Sequence, residues 1–215
     1  NEESDGPGEP TFADLPLAPE VHEAIEAIGY ETPSPIQAQA IPHLLAGRDL
    51  LGVADTGTGK TAAFLISIIT YDLENPAYEE RDPGTPFALI VAPTRELVIQ
   101  ITQDARSLTK FTDIRVITLV GGMDYEKQRS QLKKPLDIIV ATPGRLLDFV
   151  RSGSVNLSQV EILILDEADR MLSMGFIPDV KSIVARTPKK QQRQTQYQPR
   201  VPYQGLQSIL QPDQK

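Results

Sequence analysis

From residue 12 onward the chain alternates between two hydrophobic rhythms. One is helical. APEVHEAIEAIG places Val21, Ile25 and Ile28 on one face, and Gly29 is the predicted stop. SPIQAQAIPHLLAG opens on a serine cap with proline at the first helical position, and its predicted end is Gly47. The other rhythm is a short, β-branched, nearly continuous apolar run: LLGVA (50–54), FALIVA (87–92), RVITLV (115–120), DIIVA (137–141) and VEILILD (160–166). Such runs suit parallel strands buried on both faces. Helical stretches at 60–72, 95–110, 125–132 and 144–150 separate most of them. The pattern predicts an α/β domain, a parallel β-sheet flanked by helices. In such sheets ligands bind outside the carboxyl ends of the strands, where each motif below begins.

Both ends fall outside this rhythm. Residues 1–11 read as an acidic, flexible leader, and 189–215 as a Gln- and Pro-rich tail with little periodicity. Residues 12–188 are the predicted domain. The chain starts at Asn1 without a cationic, apolar signal segment, which suggests a trimmed or excised fragment. No internal repeat is present.

Composition narrows the class. A length of 215 residues with 40% hydrophobic residues fits one substantial core. The absence of cysteine excludes disulfides and thiolate metal sites, and fits a reducing, cytoplasmic setting. The longest apolar run, near 62–69, is too short to span a bilayer, so no membrane partner is expected. The net charge of −8 argues against a basic module that binds nucleic acid through a bulk positive field. Phosphate contacts would have to be local, from main-chain amides and a few arginines.

The candidate chemistry starts at ADTGTGKT (54–61). It fits strand, glycine-rich loop, helix, with Ala54 in place of the first glycine of the usual phosphate-loop pattern. Gly57 and Gly59 let main-chain N–H groups curl around phosphate oxygens, with Thr56 and Thr58 between them. The helix beginning near Lys60 adds the positive end of its dipole. Lys60 would reach the β- and γ-phosphates, and Thr61 would hold Mg²⁺. The plain alternative is a glycine-rich turn. A second site, ILILDEAD, ends a strand in Asp166 and Glu167. Asp166 suits Mg²⁺ coordination and Glu167 suits orienting an attacking water. The alternative there is an acidic strand-to-helix junction favoured by the helix dipole.

These residues, with others in the same order, resemble the DEAD-box ATP-dependent RNA helicases. DEAD stands at 166–169, after GYETPSPIQ (29–37), ADTGTGKT (54–61), PTREL (93–97), GG (121–122) and TPGR (142–145). The likeness runs from about Phe12 to Thr195 and includes an alanine at position 54. VGGMDYEKQ, TPGRLLDFV and DEADRMLSMGFIPDV look most like the RhlB-type bacterial branch.

The resemblance implies an N-terminal RecA-like P-loop NTPase domain that binds ATP with Mg²⁺. It implies RNA contacts of little sequence preference, and in the full-length protein ATP hydrolysis coupled to unwinding of RNA duplexes. Gln37 matches the family's adenine-reading glutamine, within an adenine-reading segment at 12–37. A carboxamide both donates and accepts, so it suits adenine. The carbonyl of Thr32 would help, Phe12 matches the aromatic that supports the pocket, and Tyr30 could lie against the base. By physics alone, Phe12 could equally be a hydrophobic staple and Tyr30 plain core packing. Pro93, Thr94, Arg95, Gly121, Gly122, Thr142, Pro143, Gly144 and Arg145 match the RNA-contacting loops. Their contacts would go to phosphate and 2′-hydroxyl groups. The alternative for Arg95 and Arg145 is neutralisation of acids at helix starts. Asp169 matches the residue linking the nucleotide site to the family's Ser-Ala-Thr segment.

There the resemblance fails. QQRQT (191–195) leads into QYQPRVPYQGLQ, and no Ser-Ala-Thr triplet occurs. The second RecA-like domain, with its arginine finger, is also expected to be absent. The rival readings are half of a helicase, a nucleotide- or RNA-binding module without turnover, and a different P-loop enzyme such as a GTPase, which Gln37 and DEAD disfavour. Relatives of the RhlB type act in RNA turnover, so protein partners in that process are an expectation.

Overall fold

Four β-branched segments form the described sheet: β1 (Ala88–Val91), β2 (Val116–Leu119), β3 (Ile138–Ala141) and β4 (Ile162–Leu165). A computed structural model of the chain describes residues 10–46, 59–77 and 79–188. Across the sheet the order is β2-β3-β1-β4, and every pairing is parallel. Ala88 aligns with both Ile138 and Ile162, and Val116 aligns with Ile138. In this register all four carboxyl ends reach one rim. The strand expected at 50–54 lies outside the described residues.

Parallel neighbours cannot be joined by tight turns, so helices carry the chain back. Helix α3 (Lys60–Glu74) precedes β1, α4 (Arg95–Leu108) links β1 to β2, α5 (Tyr125–Leu132) links β2 to β3, and α6 (Pro143–Arg151) links β3 to β4. Each lies within two residues of its expected bounds. The strands are shorter than the apolar runs because the flanking residues turn into the loops of the rim.

Successive strand residues point to opposite faces. Ala88, Ile90, Ile138 and Val140 join one core with Ile25, Ile66, Ile69 and Ile101 from the helices on that side. Leu89, Val91, Ile139 and Leu163 join the other with Leu146, Phe149, Val180 and Ile183. Both faces of β1 and β3 are fully buried, as unbroken apolar runs require.

The amino-terminal helices, α1 (Pro19–Ile28) and α2 (Pro35–Leu45), cover the first core. Helix α1 buries Val21, Ala24 and Ile25 and ends on Gly29 in the left-handed region at φ 87°. Ile28 departs from the expected face. It is 37% exposed, because the stripe reaches the helix's last residue just as the chain turns away. Helix α2 is capped by Ser34, whose hydroxyl accepts from the Gln37 N–H. It ends at Leu45, and Gly47, its expected stop, lies outside the described residues. Helices α7 (Ala168–Ser173) and α8 (Ile177–Arg186) follow the acidic junction. Neither was anticipated by the hydrophobic rhythm. Helix α8 buries Val180 and Ile183 against the second core.

Candidate functional site

Lys60 is the first residue of α3, and Gly59 before it turns through φ 85°. From there the lysine reaches the rim above β4, where its Nζ lies 3.4 Å from Asp166 Oδ1. Asp166 directly follows β4 and is only 4% exposed. Burial is the largest influence on its carboxyl and raises its pKa, the nearby Glu167 charge adds to the rise, and Lys60 opposes it by charge and hydrogen bonding. A buried carboxylate with one lysine beside it is suited to receive a further cation. Thr61, next on α3, is half-buried. Thr56, Gly57 and Thr58 lie outside the described residues.

Glu167 caps α7 from a left-handed backbone, φ 51° and ψ 49°. It is the one non-glycine residue with positive φ among those described. Such conformations cost of order 1–3 kcal/mol and cluster where function demands them. Its main-chain N–H donates to Asp166 Oδ1 at 3.0 Å, and its Oε2 accepts from Arg170 at 3.1 Å. Asp169 is exposed on the first turn of α7.

Gln37 links the amino-terminal helices to this rim. It is 7% exposed. Its Oε1 accepts from the Ser34 N–H at 2.9 Å, and its Nε2 donates to the Gly59 carbonyl at 3.1 Å. A Cβ at Gly59 would collide with that amide nitrogen, so glycine is needed for approach as well as for its dihedral. Among the described residues, each end of the carboxamide has one hydrogen-bonding capacity left unused. Phe12 is buried in a short 3-10 turn (Phe12–Asp14) and stacks on Tyr30, with ring centroids 6.2 Å apart. Tyr30 is 43% exposed, and Thr32 is exposed just before the Ser34 cap.

The loops after β1, β2 and β3 share the rest of the rim. Pro93 is buried, and Thr94 caps α4 by accepting from the Leu97 N–H at 3.3 Å. Arg95 is exposed, and its Nη1 reaches the Gly122 carbonyl at 3.5 Å. It forms no ion pair with any described residue. Gly122 turns at φ 75°, and a Cβ there would come within 2.9 Å of the same guanidinium. Gly121 and Gly144 face open space. Thr142 and Pro143 begin α6, where the Thr142 N–H donates to Leu119 O at 3.1 Å. Arg145 donates to Met123 O at 3.3 Å, sits 5.4 Å above the Tyr125 ring and lies 3.9 Å from Asp148. The acid on its own helix is therefore one of three partners.

Residues 34–197 of the chain match the DEAD/DEAH box helicase family. The chain belongs to that family. This DEAD/DEAH box protein is 57% identical over 189 residues to the ATP-dependent RNA helicase RhlB of Pseudomonas aeruginosa, covering 87% of this chain and 48% of that one. It is 47% identical over 182 residues to the ATP-dependent RNA helicase RhlB of Shewanella pealeana, covering 85% and 42%. The chain thus spans just under half the length of these relatives and matches an RhlB-type N-terminal part. The solved structure of a hypothetical ATP-dependent RNA helicase from Sulfolobus tokodaii superposes with a TM-score of 0.70 at 36% identity, over 80% of this chain and 47% of that one. The parallel sheet with helices on both faces is the RecA-like α/β fold of the family. No helix among the described residues is long and apolar enough to cross a membrane.

Two residues beside this candidate site escape sequence reasoning. Arg170 holds Glu167, a pairing three residues apart that many surface helices carry without consequence. Gln128 is 4% exposed and clasps the main chain of Val120. A signal for it existed: on α5 it shares a face with Tyr125 and Leu132, a polar residue on an apolar stripe.

Proposed function

We propose that this chain is the ATP- and RNA-binding part of an ATP-dependent RNA helicase that acts on RNA duplexes in the cytoplasm, within RNA turnover and alongside protein partners of that process. The observation that carries the reading is the meeting of Lys60 and Asp166 at 3.4 Å, where a helix start faces a strand end. A lysine and a buried carboxylate at the rim of a parallel sheet match the needs of a nucleoside triphosphate and its metal.

Each residue has an assigned task in this reading. The N–H groups of Gly57, Gly59 and their neighbours would cradle the phosphates, and Lys60 would leave Asp166 for the β- and γ-phosphates. Thr61 and Asp166 offer hard oxygen donors, which fit Mg²⁺ and leave room for its waters. Bound Mg²⁺ would offset charge on the phosphates. Glu167, released from Arg170, would orient a water, and Asp169 would connect the site to a neighbouring segment. Gln37 would read adenine with its unused donor and acceptor, backed by Thr32, Tyr30 and Phe12. The loops bearing Pro93–Arg95, Gly121–Gly122 and Thr142–Arg145 would hold an RNA strand by phosphate and 2′-hydroxyl groups.

Lys60→Ala is expected to weaken binding of a non-hydrolysable ATP analogue at least tenfold, about 1.4 kcal/mol, in a fluorescence titration. Unchanged affinity would sink the reading. A second reading, binding without turnover, is favoured by the missing Ser-Ala-Thr triplet. In related phosphoryl transfers an arginine supplied to the γ-phosphate is worth about 10³–10⁵ in rate. Phosphate release by the chain, with and without RNA, is expected to stay at the level of its Glu167→Gln variant. RNA-stimulated release well above that level would restore turnover to the chain itself.

A further inference from the structure

The stretch 119–123 contains one of the three loops assigned to RNA and collects bonds from the other two. Leu119 O accepts from the Thr142 N–H at 3.1 Å, Gly122 O accepts from Arg95 at 3.5 Å, and Met123 O accepts from Arg145 at 3.3 Å. Val120 lies in the middle, one residue past the end of β2. Its N–H donates to Gln128 Oε1 and its carbonyl accepts from Gln128 Nε2, both at 3.1 Å. A side-chain amide carries the same donor and acceptor as a peptide group. Gln128 therefore adds one more rung to the strand, from a helix, at the point where the chain must turn.

Residue and partner are both buried, Gln128 at 4% and Val120 at 0% exposure. Two hydrogen bonds on one residue, one to each of its flanking peptide groups, leave little freedom to the turn that follows. A Cβ on Gly121 would meet nothing within 4 Å and one on Gly122 only the Arg95 guanidinium, so no side-chain packing fixes the turn at these permissive residues. Its carbonyls nevertheless set the direction of both arginines.

We propose that Gln128 is a positioning residue for RNA: by clasping the main chain of Val120 it fixes the turn whose carbonyls aim Arg95 and Arg145. This rests on the reading of the rim as an RNA-binding face. Gln128 itself is too buried to touch RNA and acts through the turn.

The test uses the full chain, a fluorescein-labelled single-stranded oligouridylate and a non-hydrolysable ATP analogue. Gln128→Met keeps the volume and removes both bonds. It is expected to weaken RNA binding about tenfold while the ATP analogue stays within about twofold. With Arg145→Ala the two losses should combine to less than their product, because the second substitution removes what the first misdirects. RNA affinity within about twofold of the unmodified chain would overturn the proposal. So would a joint loss of both ligands with a lowered melting temperature, the mark of a merely structural role, or fully multiplicative losses. If Gln128→Met does not fold, Gln128→Glu, which keeps an acceptor for the Val120 N–H, is judged by the same criteria. If Arg95→Ala and Arg145→Ala both leave RNA affinity unchanged, the RNA-face reading fails and the proposal falls with it, whatever Gln128 does.

Discussion

Single side chains divide into those whose partners are other side chains and those whose partners are main chain. Lys60 and Asp166 belong to the first group, and their spacing along the sequence already names a phosphate loop and an acidic strand end. Gln128 belongs to the second. Its partners are the N–H and carbonyl of Val120, which any residue but proline would offer, so no motif announces it. Gln37 also bonds main chain at both ends: its type fits a base-reading role, yet its bond to the Gly59 carbonyl is visible only in three dimensions. Thr70 raises a different point. It is fully buried in α3, and its hydroxyl finds no partner among the described residues. An unsatisfied buried hydroxyl costs about 1–3 kcal/mol, whereas an isosteric methyl costs nothing there. Thr70→Val is expected to raise stability by about 1 kcal/mol and the melting temperature by about 2–4 °C, read by calorimetry. A lower melting temperature would mean that the hydroxyl has a partner after all.

At the level of elements, length and the cues at a helix's start together decided what could be read. Helices α3 to α6 carry enough turns for their apolar stripes to stand out. Helix α7 has six residues, fewer than two turns, and opens on a left-handed glutamate rather than a recognisable cap. Helix α8 opens on Ile177 with proline in its first turn and has ten residues, but the run MGFIPDV before and within it reads as a loop. The strands were legible because parallel strands buried on both sides must be apolar throughout. Their order was not. Nothing in four similar apolar runs tells which sits beside which, and β1, the first of those described, lies between β3 and β4. The convergence of the three candidate RNA loops follows from that order, since β2, β3 and β1 are consecutive neighbours.

The whole molecule is held at two opposite rims. The carboxyl-end rim bears the candidate site. At the other, Arg81 bridges Asp72 of α3 and Asp137 at the start of β3, at 3.6 and 2.9 Å, while Tyr71 donates to Glu161 ahead of β4. Two acids share one arginine, and the charge of Glu161 also acts on Asp72. Burial is the main cause that pushes the Asp72 pKa up to about 6, Asp137 adds repulsion, and Arg81 pulls the other way. The unfolded chain releases this proton near 3.8, whereas the folded chain keeps it until about 6. The folded state therefore binds the extra proton across that window, and stability falls as the pH rises through it. Asp72→Asn, which never ionises, is expected to melt higher than the unmodified chain at pH 7.5 and to lose that advantage at pH 4 and below. An advantage of equal size at both pH values would show that the ionisation of Asp72 is not its source.

The left-handed backbone at Glu167 sets two selective pressures against each other at a single codon. Glycine would relax that peptide and lose the acid, asparagine or aspartate would ease it in part, and the other replacements keep the strain. A lineage released from its chemistry would be free to drift toward glycine there. A lineage that keeps glutamate retains a carboxylate at the cost of a twist in its own backbone.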